Sequence, residues 1–375
     1  MKFSDLASIR KRLIAPSQFN QFSKYVGFEH LDPGALCVSS YGDPSAVTST
    51  KQAFFPGDTI YGKLRPYFRK VAFVNGITGI CSTDFWVFQP RAGVNPRFLF
   101  YVTASQEFSD TATSSSEGTR MPRASWSVVK NFEIRDILSA EQRGIAATLG
   151  ALDDKIESNR RIITLVPNLI SKHVLGALSE VSDAISVSRL ADFINGGAYT
   201  KGATGYGRMV IRIAELNSGP GGSTVYNDLD VGENQLARPG DILMSWSGSL
   251  GLYRWFRDEA IINQHIFKVV SCVYPDWLIF DRLQSVMGIF RGIAQDKATT
   301  MGHIQRGHLD STTVMIPSDE SIRALDQKLA PLWAKLLLAE RENLKLAALR
   351  DALLPELLSG GIRVPEAQEA VEAVV

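Results

Sequence analysis

The stretch "FFPGDTIYGKL", residues Phe54–Leu64, returns as "ARPGDILMSWS" at Ala237–Ser247. A second pair follows at the same spacing: "GTRMPRASWSVVKNFEI" (Gly118–Ile134) is answered by "ATTMGHIQRGHLDSTTVMI" (Ala298–Ile316). After each comes a helical opening, "SAEQRGIAATLGALDDKI" from Ser139 and "SDESIRALDQKLAPLWAKL" from Ser318. The offset is about 180 residues throughout, half of the 375-residue chain. Two repeats do not build a solenoid. They give one unit used twice, and the low identity between the halves implies that their targets differ.

Each half opens with short β-branched and aromatic runs, punctuated by Gly, Pro, Asn and Asp, and closes on one long helix. In the first half "TIYGKL", "KVAFV", "FWVFQP" and "NFEIR" read as strands, and "NPRFLFYVTASQEF" as a short helix capped by Asn95. In the second, "MVIRIAEL", "DILMSWS", "AIINQHIFKVV" and "TTVMI" read as strands, and "YPDWLIFDRLQSVMGIFRGIA" as a helix. The fold class is α+β, twice.

In the first long helix Ile145, Leu149, Leu152, Ile156, Asn159, Ile163, Val166 and Ile170 alternate spacings of four and three, a coiled-coil seam. Ile322, Leu325, Leu329, Leu332, Leu336, Ala339, Asn343, Leu346, Leu353 and Leu357 repeat it, with Arg350 breaking the row. Asn159 and Asn343 each take a seam position, where a polar side chain fixes register. Ser139 or an adjacent residue is expected to cap the helix, with Gln142 three positions on forming a capping box, and Pro167 is expected to kink or end the helix near Val166. Two readings fit: amphipathic helices on their own globules, or two helices packed antiparallel on each other. A two-fold repeat favours the second.

With 45% hydrophobic and 21% charged residues the chain is globular, and its length suggests two or three domains. The net charge of +1 hides any clustering. Cys37, Cys81 and Cys272 lie far apart with no CxxC pair, so neither a disulfide framework nor a zinc site is suggested. "MKFSDLASIRKRL" lacks an apolar h-region and no long apolar run follows, which predicts a cytoplasmic protein with no membrane partner. There is no GxxxxGK[ST] loop and no GxGxxG after a strand, and "SGSLG" at Ser247–Gly251 does not match GxSxG. The five histidines form no ligand cluster, and Asp153–Asp154 lies on the long helix. No catalytic, metal or cofactor-binding residue is assigned.

What remains are basic stretches without acids. Between Thr59 and Thr83 stand Lys63, Arg65, Arg69 and Lys70, interleaved with Tyr61, Tyr67, Phe68 and Phe73 around Pro66. Arg120 and Arg123 follow in Gly118–Phe132. The second half offers Lys201, Arg208 and Arg212, then Lys297, His303 and Arg306. Such a strand or loop is either a solvated face or a surface for phosphates and base edges. The candidate DNA-binding set is Lys63, Arg65, Tyr67, Arg69, Lys70, Arg120 and Arg123, then Lys201, Arg208, Ser247, His303 and Arg306.

Several of these motifs resemble one family. "KYVGFEHLDPGAL" (Lys24–Leu36), "PGDTIYGKLRPYFRKVAF" (Pro56–Phe73) and "GICSTDFWVFQP" (Gly79–Pro90) resemble the specificity (S) subunit of type I restriction-modification systems. So do "MPRASW" (Met121–Trp126), "EQRGIAATLGALDDKIESNRR" (Glu141–Arg161) and "LRDALLPELLSGGIRV" (Leu349–Val364). The second globule departs more: "VIRIAELNSG" and "GDILMSWSGSLG" fit, and the loops between are its own. The resemblance implies two target-recognition globules in a pseudo-two-fold arrangement, separated by an antiparallel coiled coil of two long helices. The expected divisions are residues 1–137 and 186–317 for recognition, 138–180 and 318–362 for the helices, and 363–375 as an acidic flexible tail. It further implies double-stranded DNA as partner, each globule reading half of a bipartite site, with the helices setting the spacer. Two methyltransferase subunits, which bind S-adenosylmethionine, and motor-nuclease subunits complete the implied complex; this chain itself is non-catalytic. "GKLRPYFRK" would lay a recognition loop on the backbone, with Pro66 fixing its turn and Tyr67 and Phe68 anchoring it. Two rivals are a scaffold or antirestriction adaptor that no longer reads DNA, and an enzyme with a site around Cys81-Ser82-Thr83-Asp84.

Overall fold

The computed structural model describes residues 1–34, 36–118, 120–178, 182–296 and 302–374. They divide into two compact units, one of Met1–Ile156 with Lys345–Val375, the other of Glu157–Leu344. The division cuts both long helices, so the helical regions are not bodies of their own: each unit owns one piece of each helix.

The first unit carries two four-stranded sheets. One runs Ala7–Ile9, Phe85–Pro90, Thr59–Gly62, Val71–Phe73, antiparallel throughout, with Tyr61 opposite Trp86 and Ile60 opposite Val87. The other runs Leu13–Ile14, Lys51–Phe54, Gly79–Cys81, Tyr25–Val26, and its last pair is parallel. Phe3, Tyr61, Phe88 and Phe108 fill the core with ring centroids 4.7 to 6.2 Å apart. The stretch read as one helix is two. Asn95 Oδ1 accepts from the Arg97 and Phe98 amides and starts Pro96–Ala104; Ser105 ends it and its hydroxyl caps Gln106–Ser114.

The second unit repeats the first sheet in order and sense: Asp192–Asn195, Ile266–Val270, Ile242–Ser245, Gly251–Arg254. Its other sheet, Val225–Asn227, Arg208–Ile211, Ala260–Ile262, Leu236–Ala237, keeps the parallel pair and that pair's antiparallel neighbour. Only the outer strand differs: it joins the opposite edge. The helix Asp276–Asp296 takes the place of Pro96–Ala104 and Gln106–Ser114.

Three strand readings need correction. "NFEIR" forms only an isolated bridge, Glu133 to Lys2. "MVIRIAEL" stops being a strand at Ile211, because Glu215 caps the Arg212 amide (3.0 Å) and starts the helix Ile213–Ser218. "AIINQHIFKVV" is two strands, Ala260–Ile262 and Ile266–Val270, separated by a turn closed by the Ile266 amide on the Asn263 carbonyl (3.1 Å).

The long helices span Ser139–Ala177 and Asp319–Ser359. In the first unit Ile145, Leu149, Leu152 and Ile156 share a core with Leu346, Leu353 and Leu357. Arg135 bridges Glu141 near the start of one helix to the Leu357 and Leu358 carbonyls at the end of the other, so the pair is antiparallel. In the second unit Asn159 donates to Asn343 Oδ1 (3.1 Å) and Glu342 (2.6 Å), while Val166, Ile170 and Val174 share a core with Leu336, Leu329 and Ile322. Pro167 lies inside the helix and does not end it. Burial of Val166, Ile170 and Val174 on either side offsets the one lost hydrogen bond. Gln142 does not box with Ser139; its amide donates to the Ile137 carbonyl (3.0 Å) and accepts from the Asn95 amide (3.2 Å).

The C-terminal segment is not a flexible tail. Val364–Glu372 is a helix with Ala367 and Val371 buried in the first unit's core. Val364 seats against Gly144, where a Cβ would come within 2.8 Å of it. Among the described residues no helix is long and apolar enough to cross a membrane, and no cluster of His, Cys, Asp and Glu could hold a metal ion.

Candidate nucleic-acid interface

Three separate motifs of the first unit meet just past the strand Thr59–Gly62. The Lys63 amide donates to the Asp84 carbonyl (3.0 Å), the Ala124 amide to the Lys63 carbonyl (2.8 Å), and the Arg65 amide to the Pro122 carbonyl (2.7 Å). "GKLRP", "STD" and "MPRASW" thus form one backbone frame, closed by a bridge between Leu64 and Arg123. Arg65 sits at φ 49°, a left-handed conformation rare for a side chain other than Gly, and Arg69 at φ 48°. The single 3-10 turn Pro66–Phe68 lies between them.

This geometry sorts the predicted residues. Arg65 and Arg120 are exposed; among the described residues the Arg65 guanidinium donates to the Arg120 carbonyl alone, at 3.4 Å. Lys63 is half-buried, and its ammonium has no partner among the described residues. Arg123 is exposed and paired with Asp84 at 2.9 Å. Tyr67 is 51% exposed, so it does not anchor the loop; Pro66 is the buried member, and Tyr67 leans on the half-buried Phe68 with ring centroids 4.7 Å apart. Two cations turn inward. Arg69 donates to the Ala104 carbonyl (3.0 Å), and Lys70 to the Phe28 carbonyl (2.5 Å) while lying over the Phe28 ring. Burial lowers the pKa of Lys70. Both tie the loop to the globule through these carbonyls.

The second unit builds the same frame from other residues. The Trp246 amide donates to the His265 carbonyl (3.2 Å), the Ile304 amide to the Trp246 carbonyl (3.0 Å), and the Gly248 amide to the Gly302 carbonyl (2.9 Å). Ser247 bridges His303 as Leu64 bridges Arg123, and Gly248 holds φ 68° where Arg65 holds 49°. Ser247 and His303 are therefore adjacent, Ser247 buried and His303 half-buried. Lys201, Arg208 and Arg306 are not part of the frame. Lys201 is exposed on its own loop. Arg208 pairs with Glu259 (2.7 Å), which also binds Arg238 (3.0 Å); hydrogen bonds from Arg238 and Arg208 hold the Glu259 carboxyl below its ordinary pKa. Arg306 donates to the Phe193 carbonyl (3.1 Å). Lys297 and the start of "ATTMGHIQRG" lie outside the described residues.

Sequence reasoning missed Trp246, Asn263 and His265. The repeat itself held the signal: aligned at "PGD", Trp246 falls on Lys63 and Ser247 on Leu64. The enzyme reading around Cys81 loses its nucleophile, since Cys81 is fully buried and burial pushes its thiol pKa up.

Comparison with known proteins matches residues 2–168 to the family described as type I restriction modification DNA specificity domain. The type I restriction enzyme EcoDI specificity subunit of Escherichia coli is 25% identical over 189 residues, 48% of this chain and 42% of that one. In that match the chain spans less than half of the relative's length. The MjaIX specificity subunit of Methanocaldococcus jannaschii is 22% identical over 317 residues, 74% of this chain and 71% of that one. Among solved structures, the S subunit of a type I restriction-modification system from M. genitalium shares the fold, with a TM-score of 0.60 at 14% identity over 96% of this chain and 95% of that one. Over residues 2–168 the chain matches that specificity-domain family, and over most of its length it is similar to specificity subunits of type I restriction-modification systems.

Proposed function

We propose that this chain is the DNA sequence-recognition subunit of a type I restriction-modification complex. Each unit reads one half of a bipartite duplex target, and the helices Ser139–Ala177 and Asp319–Ser359 set the gap between the halves and dock two methyltransferase subunits. Those subunits bind S-adenosylmethionine and supply the chemistry, with motor-nuclease subunits in the full complex and the cytoplasm as the compartment. The observation that carries this reading is the frame built twice with one backbone and two side-chain sets. A fold kept only as a scaffold has no use for that variation, nor for Arg65 and Arg120 held outward with so few contacts.

Arg65→Gly is the clean test. Glycine adopts the left-handed backbone at no cost, as Gly248 does in the second unit, so the charge is removed without strain. In the complex with its methyltransferase subunits, binding to the cognate duplex is expected to weaken similarly on all sequences. The slope of log affinity against log salt is expected to fall by about one. Fluorescence anisotropy at several salt concentrations reads both. Unchanged affinity and slope would return Arg65 to a solvated surface.

A further inference from the structure

The frame residues of the second unit share an unusual feature. Among the described residues, the buried side-chain polar atoms of this unit with no hydrogen-bond partner are Trp246 Nε1, Asn263 Oδ1 and His265 Nδ1. All three sit on one turn and the strand end beside it. The Trp246 and His265 rings lie 5.6 Å apart, and Asn263 and His265 line a cavity of about 250 Å³ with Arg212, Ile213, Ala214 and Ile266. Buried polar groups in native proteins almost always have partners, so two orphans lining one cavity and a third on the ring packed beside His265 point to a partner from outside the chain. The trio offers an indole donor, an amide oxygen acceptor, and an imidazole nitrogen that donates or accepts by tautomer.

We propose that Trp246, Asn263 and His265 are base-reading side chains of the second unit, and that each unit's target is set by the residues at these frame positions. The inference rests on the DNA-recognition reading above. The first unit's counterparts are Lys63, Ser82 and Asp84: the Ser82 amide donates to Val26 as that of Asn263 does to Ile211, and Phe85 closes its turn on Ser82 as Ile266 does on Asn263. There two of the three positions carry charge, Lys63 and Asp84, with Asp84 paired to Arg123. In the second unit they carry neutral donors and acceptors. A phosphate oxygen only accepts hydrogen bonds and cannot satisfy the Asn263 carbonyl. The exocyclic amine of adenine or cytosine, displayed in the major groove, can.

The test measures binding of the assembled complex to duplexes in which each base pair of the target is replaced in turn. Wild type is compared with Asn263→Ala and Trp246→Phe; the second removes the indole N–H, at the cost of some ring volume, and keeps an aromatic ring against Phe267. Each variant is expected to lose roughly 5- to 100-fold of discrimination at one position of the half-site read by the second unit, with the other half unchanged. If Asn263→Ala does not fold, Trp246→Phe decides alone. Discrimination retained at every position, or lost in the other half-site, overturns the assignment. A wild-type complex with no sequence preference overturns the DNA-recognition reading itself.

Discussion

Replacing residues 182–317 with the corresponding segment of a relative will change one half of the recognised sequence completely and leave the other untouched. The segment contains both sheets of the second unit and the helix Asp276–Asp296. Its upstream border matters. A cut at residue 186, which sequence alone suggests, separates Ser182–Ser186 from the strand Thr313–Pro317 with which it pairs residue for residue. Starting at 182 moves the ribbon as a whole. The helix pieces that carry Asn159 and Asn343 stay behind, so the register-fixing contact is unchanged. Methylation mapping reads the outcome. If both halves change while the complex assembles, recognition is not modular.

The largest stability effect is expected at Arg350→Ala. Arg350 breaks the apolar seam of its helix, and it is buried there with partners on two sides: Asp153 of the other long helix (2.9 Å) and Asp351 (2.8 Å). Asp153 also accepts from the Tyr101 hydroxyl at 2.6 Å, which ties the helix Pro96–Ala104 into the same network. Burial, with the Asp153 carboxylate next, raises the pKa of Tyr101. Removing the guanidinium leaves Asp153 largely buried with one hydroxyl, and breaking such a pair costs about 3–5 kcal/mol. Urea unfolding followed by far-UV circular dichroism measures the loss. Arg350→Ala together with Asp153→Asn is expected to recover part of it, because no unpaired charge remains. A loss under about 1 kcal/mol for the single variant would show that the network adds nothing beyond a surface pair.

The duplication and the helices were legible because their signals are local or periodic. The seam Ile145–Leu149–Leu152–Ile156 is buried at every position, and "PGD" marks equivalent strands in both halves. The site was legible only in outline. A basic residue does not announce which way it points: Arg69 and Lys70 are claimed by the carbonyls of Ala104 and Phe28, and Arg208 by Glu259, all distant in sequence. The C-terminal segment was misread for its acids, although Ala367 and Val371, four apart, already marked a helical face. Trp246 and His265 lie in no basic stretch of the sequence. Backbone equivalence between the two frames, not composition, brings them into view.

The central claim is that this chain chooses the DNA sequence on which its partner subunits act. Mapping methylated adenines in cells that carry the methyltransferase subunit, with and without this chain, tests it directly. The account predicts a motif of two short halves separated by a fixed gap, present only when the chain is present. Methylation that is the same without the chain, or that falls on a single undivided motif, would contradict it.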